Sequence, residues 1–91
     1  MAKQERPDQQ SEIIPSQSRM ARAALEWGIR DLAKAALVSH DTVVRFERGE
    51  ELKDRTVDAI REAFERHGVV FIAENGGGPG VRLAKRKGKK Q

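Results

Sequence analysis

Between Ile29 and Gly49 the apolar residues follow two separate helical spacings with almost no chain between them, and this limits the fold more than any other feature. Ile29, Leu32, Ala33 and Ala36 share one face of a helix, and Val43 and Phe46 share one face of the next. Only Leu37 and Val38 remain to make the turn, and Ser39 follows as a good N-cap for the second helix. Helices this short are unstable alone, so they must cross closely and bury their stripes against further elements. Ala33 suits such a crossing because its small side chain lets two backbones approach. Leu32, Val43 and Phe46 would close the core beneath it. Ser39, His40, Asp41 and Arg45 then fall on the side of the second helix away from its buried stripe.

The flanking sequence supplies the rest of a small bundle. Residues 1–14 are mostly polar and read as a disordered N-terminal arm. Pro15 suits a first helical position, and a helix is expected over Pro15 to Trp27, with Met20, Ala21, Ala24 and Leu25 at helical spacing and Gly28 as its breaker. A fourth helix should follow Lys53-Asp54-Arg55, with Val57, Ile60, Ala63 and Phe64 as its apolar stripe and His67-Gly68 at its end. Val69 to Ala73 is a short branched and aromatic run that reads as a strand, and Val81-Arg82-Leu83 can return as a second after a glycine-rich loop. The expected fold is mainly α: a helix-turn-helix bundle of four to five helices over residues 15–67, a β-hairpin over 68–84, and a basic disordered tail over 85–91.

Charge separates the last ten residues of the chain from the rest. The formal net charge is +4, but six basic residues and no acid lie from Arg82 onward, leaving 12 basic against 14 acidic residues elsewhere. A basic balance suggests nucleic acid as a partner, although here any such surface depends on where individual charges sit. With no cysteine and two isolated histidines, His40 and His67, neither a disulfide, a thiolate metal site nor a histidine-rich one is expected. No cofactor is expected. No apolar run approaches a membrane span and the N-terminus lacks a signal-peptide core, so the cytoplasm is the expected location.

The segment Asp31-Leu32-Ala33-Lys34, through Val38-Ser39, to Val43-Val44-Arg45-Phe46-Glu47-Arg48-Gly49 resembles the phage repressor and Cro class of helix-turn-helix regulators, the xenobiotic-response-element-like family. The resemblance covers about Pro15 to His67, and the ending Phe-Glu-Arg-Gly after a Val-Ser opening carries it. The hairpin sequence is also similar to that of small bacterial regulators with a hairpin after the helices. The resemblance implies a third helix that reads the major groove of double-stranded DNA, and dimers that bind partly symmetric operators. By position, Ser39, His40, Asp41 and Arg45 would lie against base edges, Arg45 on a guanine and Asp41 on a cytosine amino group or a neighbouring side chain. Thr42 would lie close to the backbone. Arg22, Arg30, Arg48, Lys53 and Arg55 are candidate phosphate contacts, and each can equally be solvated or paired with Glu47, Glu50 or Asp58. Two positions depart from the family pattern. Ile29 stands where a polar residue usually meets a phosphate, leaving that contact to backbone N–H groups or Arg30. Leu37 stands where a glycine usually takes a left-handed conformation, at about 1–2 kcal/mol if that geometry is kept.

The remaining features have plainer readings. Trp27 reads as a core residue rather than a platform for bases, and His67 as a helix-end residue. The loop from Asn75 to Gly80 lacks the Gly-Lys-Ser/Thr ending and following helix of a phosphate loop, so it reads as a strand connection. Both faces of the first strand are apolar. One can lie on the fourth helix, and the other needs cover from a second copy of the chain or from within a fully buried monomer. The first option makes Val69, Val70, Phe71, Ile72, Val81 and Leu83 a two-fold dimerisation element. Lys85, Arg86, Lys87, Lys89 and Lys90 would add non-specific attraction to phosphate, or simply aid solubility. The expected function is a sequence-specific transcriptional regulator, a repressor, acting as a homodimer. The alternative is an antitoxin or anti-activator that holds a protein partner on the same scaffold. No catalytic constellation is apparent, so an enzyme is not expected.

Overall fold

The chain enters its core two residues before its first helix. In the computed structural model, which describes residues 13–84, Ile13 is only 3% exposed and packs with the residues at the centre of the bundle. The expected arm over residues 1–14 therefore ends short of Ile13; the rest of that arm, like the basic tail 85–91, lies outside the described residues. Ile14 donates its N–H to the Gln17 side-chain oxygen at 3.1 Å, and Pro15 begins α1 (Pro15–Leu25) with the ring that suits a first turn.

Helix α1 stops two residues earlier than its apolar spacing suggests. Glu26 takes a left-handed conformation at φ 61°, and Trp27 donates its N–H back to the Arg22 carbonyl at 2.8 Å. The reason is Trp27 itself, whose ring turns inward to stack on Phe64 (centroids 5.8 Å apart) and meet His67 edge-on (4.8 Å). Gly28 is then not the breaker of α1 but the extended residue that opens α2 (Ile29–Ala36), its N–H held by the Asp31 carboxylate at 2.8 Å.

Helix α2 ends at Leu37, which adopts φ 59° and ψ 43° while 89% exposed. The left-handed turn is thus kept without the glycine that favours it. Ser39 opens α3 (His40–Glu47), its hydroxyl accepting the Thr42 N–H at 3.0 Å. Gly49, at φ 97°, closes α3, and α4 (Asp54–Arg66) follows. Arg66 reaches across to donate to the Ala35 carbonyl at 2.9 Å, satisfying an orphan acceptor in the last turn of α2. Helix α2 packs against both α3 and α4, and Leu32, Val43, Ile60 and Phe64 are wholly buried between them.

Strands β1 (Val69–Ile72) and β2 (Gly80–Leu83) pair antiparallel, with Val69 opposite Leu83 and Phe71 opposite Val81. These four share one face, because cross-strand partners point the same way. Phe71 lies edge-on to Phe64 at 5.9 Å, so that face sits on the bundle. In the connecting loop the Glu74 carboxylate accepts the N–H groups of Gly76 and Gly78 at 3.2 and 3.3 Å. Among the described residues the architecture is mainly α, four helices followed by a short hairpin.

Gln17 fixes the hairpin to the bundle. Its side chain is fully buried, and its amide nitrogen donates to the carbonyls of Ile72 (3.2 Å) and Gly80 (3.0 Å), the last cross-strand pair. With its oxygen taken by Ile14 N–H, the amide meets its obligations in full, which is what makes burying it tolerable.

Candidate nucleic-acid interface

Helix α3 is anchored on one side and open on the other. Val43 is wholly buried and Phe46 is 5% exposed, whereas Ser39, His40 and Asp41 are exposed and Thr42 and Arg45 half-buried. The polar flank therefore faces outward, most openly at Ser39, His40 and Asp41, with Arg45 partly covered.

From below, α3 is held by a network centred on Glu47, whose side chain is 7% exposed. Arg22 donates to its two oxygens at 2.7 and 2.9 Å, and Ser18, itself wholly buried, donates its hydroxyl to one of them. Arg22 also reaches the Trp27 carbonyl at 3.4 Å, and Arg19 donates to the Glu47 carbonyl at 2.7 Å. Burial pushes the Glu47 carboxyl up, but the bonds from Arg22 and Ser18 and the charges of Arg22 and Arg19 together hold it below its ordinary value. The bond to Glu47 in turn raises the Arg22 guanidinium above its ordinary value. This network joins α1 to the C-terminal end of α3.

A second network lies on the surface, around Glu50. One oxygen accepts from Arg45 Nε at 3.0 Å; the other accepts from Arg48 Nη2 at 2.7 Å and Nε at 3.2 Å. These bonds, Arg48's first, hold the Glu50 carboxyl below its ordinary value, and the same contact raises Arg48. Asp41 adds a smaller favourable charge at Arg48.

The residues singled out in the sequence thus divide by what they already hold. His40 and Asp41 make no hydrogen bond or ion pair with a described residue and stand open on the flank. Ser39 and Thr42 are partnered with each other, their hydroxyls 2.8 Å apart, in addition to the capping bond. Arg22 is committed to Glu47, which takes it from the candidate phosphate contacts into the interior. Arg48 is held by Glu50. Arg30, Lys53 and Arg55 are exposed with no ion pair to a described residue. At the start of α2, Ile29 packs partly on the core and Asp31 already occupies the Gly28 N–H, so a phosphate arriving there would meet a carboxylate. Gln17 and Ser18 were not among the sequence candidates, and Glu47 and Glu50 entered only as possible ion-pair partners; Gln17 does stand at the third helical position, where a glutamine reaches back to the helix start.

The hairpin departs from expectation in which residues it offers. Val69 is 3% exposed and Phe71 and Val81 pack on the bundle, so these three belong to the fold's own core. Val70 and Ile72 lie half-buried on the opposite face beside the exposed Arg82, and Leu83 is 49% exposed at the strand end.

A cleft of about 210 Å³ beside the α3–α4 connection, bordered by Ile14, Phe46, Glu50 and Leu52, is below the usual size of a small-molecule site. Among the described residues no group of His, Cys, Asp or Glu is arranged to hold a metal ion, and no helix is long and apolar enough to cross a membrane. No model of a known protein family matches the chain, and no curated protein matches its sequence.

Proposed function

We propose that this chain is a sequence-specific DNA-binding transcriptional regulator, a repressor acting in the cytoplasm without a cofactor or catalytic activity, whose α3 enters the major groove. The observation that carries the reading is the orientation of α3. Val43 and Phe46 pin it to α2 and Glu47 pins it to α1, so His40, Asp41 and Arg45 project from a rigid support rather than a loop. The short α2-turn-α3 connection through a left-handed Leu37 is in keeping with the resemblance to the repressor and Cro class.

In this reading Arg45 meets a guanine edge and Asp41 a cytosine amino group, while Arg30, Lys53 and Arg55 meet phosphates. Two copies joined through Val70 and Ile72, on the hairpin face turned away from the bundle, bind half-sites about 34 Å apart, one helical turn of DNA. The Lys85–Lys90 tail adds sequence-independent attraction. Selection of bound fragments from a random DNA pool at moderate salt tests the proposal: a recovered motif with two related halves supports it, and recovery without any sequence preference refutes it.

A second reading, an antitoxin or anti-activator that holds a protein partner, draws on one observation. Leu37 is the most exposed of the large apolar side chains described and stands beside α3 at the tip of the turn. A stoichiometric protein partner on purification, with no motif recovered from DNA, favours this reading.

A further inference from the structure

The chain reverses sharply after α3, and the reversal decides where Glu50 goes. Gly49 donates its N–H to the Phe46 carbonyl and Glu50 donates its N–H to the Arg45 carbonyl, both at 3.0 Å. This pair of bonds, closed by a left-handed glycine, folds the backbone over the last turn of the helix. The Glu50 side chain is thereby launched from a fixed point toward the flank that carries Arg45 and Arg48.

Its two oxygens treat the two arginines differently. Arg48 is gripped along one edge, through Nε and Nη2, so one of the two edges that could clamp a phosphate is filled and its charge is offset by the carboxylate. Arg45 is touched through Nε alone, and neither of its terminal nitrogens is bonded to a described residue. A guanidinium held at Nε keeps its two-nitrogen end free, and that end matches the O6 and N7 acceptors of guanine. The same carboxylate thus steadies one arginine for a base and offsets the charge that the other would bring to the phosphate backbone.

From this geometry we infer that Glu50 is a positioning residue that sets sequence discrimination: it orders Arg45 for a guanine and suppresses the pull of Arg48 on phosphates. The inference rests on the DNA-reading proposal. Its physical basis is twofold. An ordered arginine gives up less rotational freedom on binding than a free one. A carboxylate beside the phosphate track also lowers affinity for every sequence alike, and so raises the ratio of specific to non-specific binding.

The test uses the full chain, the selected DNA fragment, the same fragment with its guanines changed one at a time, and a random-sequence duplex of equal length. Glu50→Gln keeps the side-chain shape and removes the charge. It should weaken the selected fragment about three- to tenfold, the range for losing one pre-ordered side chain. On the random duplex it should bind more tightly, with a salt dependence steeper by about 0.9 for one added phosphate contact. The loss should centre on a single guanine and vanish in an Arg45→Ala background. Glu51→Gln is the control, since Glu51 is exposed and makes no ion pair with a described residue. If Glu51→Gln moves both affinities as much as Glu50→Gln does, general charge explains the effect and the inference is overturned. Unchanged discrimination in Glu50→Gln also overturns it, leaving DNA reading intact. A wild-type chain that prefers no sequence overturns the DNA reading and this inference with it.

Discussion

Replacing Arg22 with methionine should cost this small domain more than half of its stability. The substitution keeps an unbranched stem and removes the guanidinium. Glu47 then loses the bonds at 2.7 and 2.9 Å and keeps only the Ser18 hydroxyl for a carboxylate that is 7% exposed. Breaking a buried ion pair from one side costs about 3–5 kcal/mol, and because the Arg22 side chain is 19% exposed the lower end, about 3 kcal/mol, is expected. A domain of this size holds on the order of 5 kcal/mol in total. Urea unfolding followed by Trp27 fluorescence measures the change directly, since that ring stacks on Phe64 in the folded state. Adding Glu47→Leu to Arg22→Met removes the stranded charge, so the double variant should recover about 2 kcal/mol of the loss. The sign with pH follows from the lowered Glu47 carboxyl. Its stabilisation is complete above the unfolded value, about 4.3, and disappears as pH falls through the lower folded value. The gap between wild type and Glu47→Gln should therefore close at acid pH. A cost for Arg22→Met below about 1 kcal/mol, or simple addition of the two single losses, would show that the network is not the brace described.

Other expectations can be checked on the same material. Leu37→Gly should stabilise the fold by about 1 kcal/mol, because glycine relieves the left-handed strain and an 89% exposed leucine buries little; a lower melting temperature contradicts this. Gln17→Leu strands the carbonyls of Ile72 and Gly80 and the Ile14 N–H, and should cost about 2–3 kcal/mol, with hydrogen exchange accelerating first in the hairpin. Arg45→Ala should cost about 1–3 kcal/mol on the selected DNA and relax preference at one base pair; an equal loss on random duplex rules out base reading. Removing residues 85–91 should weaken all sequences alike and flatten the salt dependence, and an unchanged slope dismisses a role for the tail.

Local rules reached most of this fold and little of its bracing. The spacing of Leu32, Ala33 and Ala36, then of Val43 and Phe46, is enough to place α2 and α3, because amphipathic periodicity is a property of neighbours in the chain. The hairpin is equally visible in its branched residues and glycine-rich connection. The end of α1 was not, since Trp27 leaves the helix for a ring contact with Phe64, far away in sequence. Ile13 is hidden for the same reason: a polar neighbourhood surrounds it in the chain and an apolar one in space. The partners of Arg22 were open in sequence, with Glu47 only one choice among several. Glu50 was named in the sequence only as another possible ion-pair partner, because its bonds to Arg45 and Arg48 depend on the backbone reversal at Gly49.

Gln17 and Ser18 are adjacent, yet the first grips the hairpin and the second grips the C-terminal end of α3 through Glu47. One turn of α1 is therefore a rigid yoke between the chain's only sheet among the described residues and the helix with the open flank. Were two hairpins to join, the gap between the two open flanks would be set like that of a caliper, by the dimensions of the bundle and with no slack segment to absorb a mismatch. Such a molecule would measure the distance between half-sites as strictly as it reads their bases, and inserting a single base pair between them should be felt as keenly as changing one within them.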